Sequence, residues 1–296
     1  MSFTARLTRE SITKGRQAVK RRLNSKNPAS LIIGLVVLAI LAIAILGAPL
    51  LAPYDPVAQN AAERLEKPSE KHWLGTDRFG RDILSRTLHG GQTTLLSSLL
   101  ALCAALAIGL LVGMAAGMFH GSALDHILMR IIDVLLAFPF MVFAMVIAGL
   151  FGTGLVHLLL AVVSVWWVSF ARLTRSVVLH AKNETSYAAA KVLGASNLAI
   201  MRKELLPKAI SPVLILATFE LGTLILSIAA LSFLGLGAQP PAPEWGSMLA
   251  DGRAHFFQAP HILIGPAAFI VATVLAFNLI GEGLRDRLDP YEKLEL

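Results

Sequence analysis

The feature that most constrains this chain is a series of long apolar runs. A helix needs about 20 consecutive apolar residues to cross the hydrocarbon core of a bilayer. Six stretches reach or approach that length: 30–51, 93–119, 128–150, 156–172, 209–232 and 262–283. We therefore predict an all-α, polytopic membrane protein with six transmembrane helices. Trp166 and Trp167 interrupt the fourth stretch, so its limits are the least well defined.

Composition and charge agree with a membrane protein. Hydrophobic residues make up 55% of the chain and charged residues 15%, whereas soluble domains carry about 25% charged residues. The net charge of +7 could suit nucleic acid, but the basic residues lie between apolar runs and form no stripe with aromatic residues. We expect contact with lipid and none with nucleic acid.

The loop charges predict orientation, because cytoplasmic loops are enriched in Lys and Arg. Eight basic residues precede the first run against the single acid Glu10, and the loop between the fourth and fifth runs is also strongly basic. The first run is about 22 residues long with no A-x-A cleavage site behind it, so we interpret it as an uncleaved span. The predicted organisation is a cytoplasmic segment 1–29, a first span 30–51, an extracytoplasmic loop 52–92, a five-helix core 93–283 with a cytoplasmic loop 182–208, and a cytoplasmic tail 284–296.

Two spans carry packing signals. Small residues let helix backbones approach closely in lipid, and the second span has glycines four residues apart at Gly109, Gly113 and Gly117. They favour packing within this chain, with a subunit interface as the alternative. In the third span, Pro139 predicts a kink. Arg130 and Asp133 are three residues apart, a spacing that allows an ion pair.

The cytoplasmic loop 182–208 predicts two short helices. Thr185 or Ser186 is expected to cap the first and Gly194 to end it. Asn197 is expected to cap the second, which should end where Pro207 introduces the fifth span. Three alanines give the first helix a smooth face for another protein, and an amphipathic connector is the alternative.

Ala188-Ala-Ala-x-x-x-Gly194, followed by Leu206-Pro207, resembles the EAA loop of bacterial ABC importer permeases. In that family the loop forms a coupling helix seated in a cleft of a cytoplasmic ATPase. Ala188 replaces the leading Glu of the family pattern, and Glu204 stands where a branched apolar residue is usual. The resemblance implies that contact with the ATPase is made by Ala188, Ala189, Ala190, Gly194, Ala195, Leu206 and Pro207.

Longer motifs resemble one subfamily, the dipeptide/oligopeptide/nickel permeases, and its second (C-type) subunit. They are the runs 52–56, 74–86, 232–237, 243–246, 277–281 and 284–290. The resemblance implies the type I ABC importer fold and a pathway lined by spans three to six. It also implies a homologous permease partner, two ATP-binding subunits and an extracytoplasmic solute-binding protein.

The run 74–86 gives an extracytoplasmic signature with residues Gly75, Asp77, Gly80, Arg81, Asp82 and Arg86. Thr76 or Asp77 could cap a helix over 78–89 whose apolar face lies at the outer membrane interface. Its charged residues would then face water or the partner subunit, and Trp245 would be an interfacial anchor. A structural role is favoured for this signature, with direct contact to the binding protein as the alternative.

Glu220 lies near the middle of the fifth span. A carboxylate at this depth costs at least about 2.5 kcal/mol and normally faces a cavity or a partner. It could be a buried ion pair or a protonated carboxyl between helices, or it could line the path and favour cationic or metal-bearing solutes.

The sequence lacks the motifs of several binding and catalytic chemistries. The chain has no G-x-x-x-x-G-K-[ST] loop, so ATP and Mg²⁺ are expected on partner subunits and no cofactor on this chain. It has no H-E-x-x-H or G-x-S-x-G, which disfavours an intramembrane enzyme. The histidines lack metal-ligand spacing, so no metal site is predicted.

The competing function is an ATP-independent secondary transporter or channel, which would need several ionisable residues in its spans and an inverted repeat. Glu220 is the only ionisable residue identified deep inside a predicted span, and no inverted repeat is evident. The residues leave the solute open among dipeptides, oligopeptides, glutathione and nickel or metal chelates.

Overall fold

The computed structural model describes residues 28–288, and this part of the chain contains helices and no strand. The basic segment predicted over 1–29 lies almost wholly outside the described residues, as does the tail after residue 288. The helices are α1 (Pro28–Leu46), α2 (Ala48–Leu51), α3 (Ile83–Met118), α4 (Ala123–Ala137), α5 (Phe140–Phe151), α6 (Leu155–Ala181), α7 (Thr185–Val192), α8 (Asn197–Ile200), α9 (Leu206–Phe233), α10 (Trp245–Arg253) and α11 (His261–Leu288). A 3-10 turn covers Ala61–Glu63, and a π-helical turn, Met201–Leu205, joins α8 to α9 without a gap.

Five helices are long and apolar enough to cross a membrane, and the bent pair α4–α5 supplies a sixth candidate span. The six-span, all-α prediction is therefore confirmed. The limits predicted for the fourth span, 156–172, were too narrow, because α6 is one helix of 27 residues. Trp166 and Trp167 lie inside it, since aromatic side chains do not break a helix.

The third span is broken where only a kink was predicted. α4 ends at Ala137 and α5 begins at Phe140, and the two helices are bent by 92°. Phe138 adopts an extended conformation and Pro139 is the N-cap of α5. Proline disfavours helical geometry in the residue before it and cannot donate a backbone hydrogen bond. Both effects act at the Phe138–Pro139 peptide, so the helix is broken there.

The ion pair expected between Arg130 and Asp133 is absent from the described residues, so that prediction was wrong. The acid of α4 that pairs is Asp125, and its partner is Arg175 on α6. Helical spacing allows a pair but cannot exclude a better partner on a neighbouring helix.

The glycine ladder of α3 packs within the chain. α3 makes its most extensive contact with α6, and each glycine of the ladder lies against it. A Cβ on Gly109 would overlap Phe170, and a Cβ on Gly117 would lie 2.6 Å from a methyl group of Val178. The ladder therefore serves close helix packing inside this subunit.

A Gly113→Val substitution should destabilise the bundle by about 1–3 kcal/mol. A Cβ at Gly113 would overlap the carbonyl of Ala171 and lie 2.6 Å from Cβ of Thr174, so both helices would have to shift. Thermal unfolding of the detergent-solubilised chain measures the loss. Gly149→Val is the matched control, because a Cβ there meets nothing within 4 Å. Equal unfolding temperatures for the two variants would contradict this account of the ladder.

The rest of the bundle is built around α9. A buried apolar cluster joins α3, α6 and α9 through residues such as Leu102, Phe170 and Ile225. α11 packs against α9, and α1 lies along the outer side of α11, where Gly283 fits against Leu31. Most apolar side chains of α1 remain exposed, which places this helix at the edge of the bundle, available to lipid.

Candidate functional site

The segment between α6 and α9, which the loop charges predict to be cytoplasmic, contains the short helix α7. Gly194 ends it in the left-handed conformation, with φ +77°. Two backbone bonds close the end: Gly194 N–H donates to Lys191 O, and Ala195 N–H donates to Ala190 O. This is a Schellman motif, which favours glycine at the left-handed position. The N-cap is Glu184, without a side-chain bond, so the predicted caps Thr185 and Ser186 were wrong by one or two residues.

The second half of the segment differs more from the prediction. Ser196 caps α8 through its hydroxyl, and the expected cap, Asn197, is the first helical residue. α8, the π-helical turn and α9 form one helix of 37 residues, Asn197–Phe233. The second helix therefore does not end at Pro207. The π-helical turn precedes that proline, and such turns change the register of backbone bonding inside a helix.

The segment presents small and apolar side chains on its exposed surface. Ala188, Ala189, Val192, Leu193 and Leu198 are exposed, and we call these five residues the docking patch. Val192 is 87% exposed, Leu193 85% and Leu198 74%. Exposed apolar residues grouped in this way mark protein-interaction surfaces.

The other predicted coupling residues divide by burial. Gly194, Ala195 and Pro207 are exposed like the docking patch. Ala190 and Leu206 are partly buried and pack beneath the patch against a buried cluster. Five of the seven predicted residues lie between α6 and α9, and Leu206 and Pro207 form the first turn of α9. Ala190 and Leu206 serve to seat the segment.

That buried cluster anchors the segment to the bundle, and its central residue, Tyr187, was missed by sequence reasoning. Tyr187 is buried with Met114 and Met118 at the end of α3, with Val178 and Ala181 at the end of α6, and with Ile200 and Leu205. Its place directly before three small residues was the available signal, because one bulky apolar side chain beside a smooth face indicates which side of α7 is buried.

Two lysines tie the segment to neighbouring helices. Lys182 Nζ donates to the carbonyls of Gly117 and Met118, 3.2 and 2.9 Å away, at the end of α3. Burial lowers the pKa of Lys182, and Lys191 nearby adds to this effect. Lys208 Nζ, on α9, lies 2.6 Å from Glu184 Oε2 and 2.9 Å from Ser186 Oγ. Both contacts hold the start of the segment, at residues 182–186.

Glu220 lies in the middle of α9 and is half-buried. The indole of Trp166 on α6 lies beside its carboxyl, although that indole nitrogen makes no hydrogen bond of normal geometry within the described residues. Trp166 in turn makes an edge-on contact with Phe140 at the break between α4 and α5, with ring centroids 5.1 Å apart. No ion pair to Glu220 occurs in residues 28–288, so the carboxyl faces an aromatic, partly open surface where α5, α6 and α9 meet.

The extracytoplasmic signature does not form an interfacial helix over 78–89. α3 begins at Ile83, with Asp82 as its N-cap. Arg81, Asp82 and Arg86 are all buried, so the expectation that they face water or the partner was wrong. Charged residues can be buried when they are paired, and each of these is.

The pairing ties the 52–82 loop to α10. Arg81 Nε lies 2.6 Å from Asp77 Oδ2, and Arg81 Nη2 lies 3.4 Å from Asp251 Oδ2. Arg78 Nη2 also reaches Asp251, at 3.0 Å. Both guanidinium groups lie over the ring of Phe79, 4.5 and 4.6 Å from its centroid. We call Asp77, Arg78, Arg81 and Asp251 the loop clamp.

The remaining signature residues make further contacts that fold the 52–82 loop. Asp82 Oδ2 accepts hydrogen bonds from the backbone N–H and the hydroxyl of Ser85, both 2.7 Å away. Arg86 Nη1 donates to Pro56 O at 2.8 Å. Gly75 and Gly80 both have positive φ, and a Cβ on Gly80 would overlap the carbonyl of Asn60. The signature thus folds the loop onto the start of α3.

Trp245 is not an interfacial anchor, because it is fully buried at the start of α10. Its indole Nε1–H donates to Thr87 O on α3, 2.8 Å away. Glu244 caps α10 by accepting hydrogen bonds from Gly246 N and Ser247 N at 2.9 and 2.8 Å. Burial raises the pKa of the Glu244 carboxyl. α10 is consequently fixed between α3 and the loop clamp.

No group of three or more His, Cys, Asp or Glu residues within 28–288 is placed to hold a metal ion. The arrangement instead combines a membrane-spanning bundle, an exposed docking patch on a segment packed against the ends of α3 and α6, and a carboxylate in the middle of α9. This combination is typical of a membrane transport subunit that docks against another protein.

Similarity to known proteins identifies the class of transport subunit more closely. Residues 109–293 match the family of binding-protein-dependent transport system inner membrane components, and residues 18–68 match the N-terminal transmembrane domain of oligopeptide transport permease C. Glutathione transport system permease proteins GsiD from Escherichia coli O6:K15:H31 and Shigella boydii serotype 4 are 44% identical over 241 residues. GsiD from Shigella flexneri serotype 5b is 46% identical over the same length. Each alignment covers 81% of this chain and 79% of the relative.

The chain belongs to the binding-protein-dependent transport system inner membrane component family. Within it, the chain is an ABC importer permease of the peptide and oligopeptide type, the C-type subunit. It is a multi-pass inner-membrane protein and not an enzyme, since ATP hydrolysis in such importers belongs to separate ATPase subunits. Family membership also removes the ATP-independent transporter from consideration.

Proposed function

We propose that this chain is one half of a heterodimeric permease that moves short peptides inward by alternating access. A homologous permease supplies the other half, and an extracytoplasmic binding protein delivers the solute. Two ATPase subunits bind ATP and Mg²⁺, and this chain binds no cofactor. The observation that carries the proposal is the docking patch, because exposed apolar side chains on a firmly seated segment suit contact with a moving partner.

Charge supports the proposed orientation. The chain between α6 and α9, residues 182–205, bears the docking patch, and we call it the docking segment. It carries Lys191, Arg202 and Lys203, as positively charged cytoplasmic loops do. With an even number of spans, both termini then lie in the cytoplasm, and the loop clamp lies outside, where a binding protein arrives.

The proposed solutes are peptides of glutathione's size, with nickel or metal–chelator complexes as the second candidate. The relatives named above are glutathione permeases, and the sequence motifs resemble a subfamily that also handles nickel. The solute-contacting surface of this chain would include Glu220 with its aromatic neighbours.

The proposed function is tested by purifying the tagged chain in mild detergents from its native host and identifying the co-purifying proteins by mass spectrometry. A homologous permease with one or two P-loop ATPases is the expected result, and a co-purifying binding protein would identify the solute class. Recovery of the chain alone, or only as a homo-oligomer, across several mild detergents would overturn the proposal.

Glu220→Gln should reduce import of cationic or metal-bearing solutes by about ten-fold and leave neutral solutes unaffected, because it removes a carboxylate that would offset positive charge at mid-membrane. Uptake of charged and neutral peptides into proteoliposomes containing the full complex measures the ratio. Glu282→Gln is the control, since Glu282 is an exposed carboxylate near the end of α11. Unchanged selectivity in the Glu220 variant would exclude this role.

A further inference from the structure

A buried carboxylate lies at the cytoplasmic end of the bent span. The Asp125 side chain, in the first turn of α4, is only 4% exposed. Arg175 of α6 binds it in a bidentate manner, with Nε 2.8 Å from Oδ1 and Nη2 2.9 Å from Oδ2. Gly121 N–H donates to Oδ2 at 3.1 Å, and His120 Nδ1 lies 2.7 Å from the same oxygen. Bidentate, charge-assisted bonds of this type are strong and fix orientation.

The helices on one side of this ion pair have few other attachments. In α4 only Asp125 and Ile132 are buried, and in α5 only Ala144 is. Much of the pair α4–α5 is exposed apolar surface. Its apolar contacts are a small cluster around Ile132, the Phe140–Trp166 contact and the packing of Ala144 against the central cluster. Asp125 is therefore the main polar attachment of α4–α5 to the bundle.

The helix on the other side leads directly to the docking segment. Arg175 lies six residues before Ala181, where α6 ends and the segment begins. Lys182 binds the last carbonyls of α3, and the buried cluster around Tyr187 joins the ends of α3 and α6 to α7. The docking segment and the cytoplasmic ends of α3 and α6 thus form one packed unit.

We propose that the Asp125–Arg175 ion pair transmits the movement of the docking segment to the bent pair α4–α5. The inference rests on the proposed function and adds a specific mechanical connection to it. Movement applied at the docking patch shifts the packed unit, and the ion pair moves the start of α4 with it. Asp125 and Arg175 are positioning residues in this scheme, since they orient helices without contacting the solute.

The test uses the complete complex with its binding protein, reconstituted in proteoliposomes. Asp125→Asn and Arg175→Ala should each lower the number of solute molecules imported per ATP hydrolysed by about ten-fold, while ATP hydrolysis stimulated by the binding protein continues. The charge-swapped double variant, Asp125→Arg with Arg175→Asp, should recover part of this ratio. Arg172→Ala is the control, because Arg172 is exposed on the same helix and forms no ion pair in the described residues.

A distance measurement keeps the test decisive if a variant is less stable. With Cys103 replaced by serine, spin labels at Ile127 on α4 and Ser176 on α6 occupy exposed positions. In the parent complex their separation should stay narrow and unchanged between the ATP-free and ATP-bound states. In Asp125→Asn the distribution should broaden and depend on ATP.

The outcomes separate this inference from the proposed function. An unchanged import-to-hydrolysis ratio, or an unchanged label separation in Asp125→Asn, would overturn the transmission role while leaving the permease assignment intact. Parallel loss of hydrolysis and import in a stably assembled variant would also overturn it, because the pair would then be needed for ATP hydrolysis itself and not for coupling hydrolysis to import. Failure of the parent complex to couple hydrolysis to import would instead refute the proposed function.

Discussion

Leu193→Glu should abolish solute import while leaving the bundle folded. Leu193 is among the most exposed apolar residues of the docking patch and contributes to no buried cluster. In the assembled importer we expect it to be covered by an ATPase subunit, where an unpaired carboxylate would be costly to desolvate. The expected effect is a fall in import of about a hundred-fold or more, together with loss of the ATPase subunits during purification.

Leu193→Met is the matched control, because it conserves volume and apolar character and should import normally. Unfolding temperatures of the two variants in detergent should agree, since neither changes a buried contact. Wild-type import by Leu193→Glu would show that Leu193 lies outside the ATPase contact, and the docking patch would need to be redefined.

The second large effect concerns the loop clamp. Arg81→Met should destabilise the extracytoplasmic loop by about 3–5 kcal/mol, the usual result of removing one partner from a buried ion pair. Arg81 is only 2% exposed, and it is the cation that Asp77 and Asp251 share. Its removal leaves Asp77 with Arg86, 3.5 Å away, and Asp251 with the partly exposed Arg78. Limited proteolysis should then cut residues 52–82 rapidly in Arg81→Met and slowly in the parent.

Lys67→Met controls for loss of a positive charge, because Lys67 is exposed on the same loop. The double variant Arg81→Met, Asp77→Asn should recover part of the loss, since one of the two carboxylates that lost Arg81 is neutralised. Protease resistance of Arg81→Met equal to that of the parent would contradict the clamp.

Local patterns were enough to predict much of this architecture. The number of spans followed from apolar run length, and the position of the docking segment followed from basic charge and a Gly-terminated short helix. Both features are set by residues close together in the sequence. The same local reasoning identified the glycine ladder, whose four-residue spacing is visible before any partner helix is known.

Features that depend on distant residues were predicted poorly. Arg81 is buried because Asp251, 170 residues further along the chain, pairs with it. Trp245 is buried because Thr87 accepts its indole hydrogen bond. Neither partner can be identified from local pattern, so exposed roles were expected at both positions. Pairing of Asp125 with Arg175 in place of Arg130 with Asp133 has the same cause.

The break at Pro139 has a consequence for how the protein is made. Irregular backbone is tolerated at membrane depth only where protein or water covers it, because lipid offers no hydrogen bonds. Phe138 beside the break is largely exposed in this subunit, so we expect the break to need cover from the partner subunit or from water in the assembled importer. Subunits synthesised in excess of their partner should therefore be short-lived in the cell, and membrane proteases could match the amounts of the two halves by removing the unpaired copies.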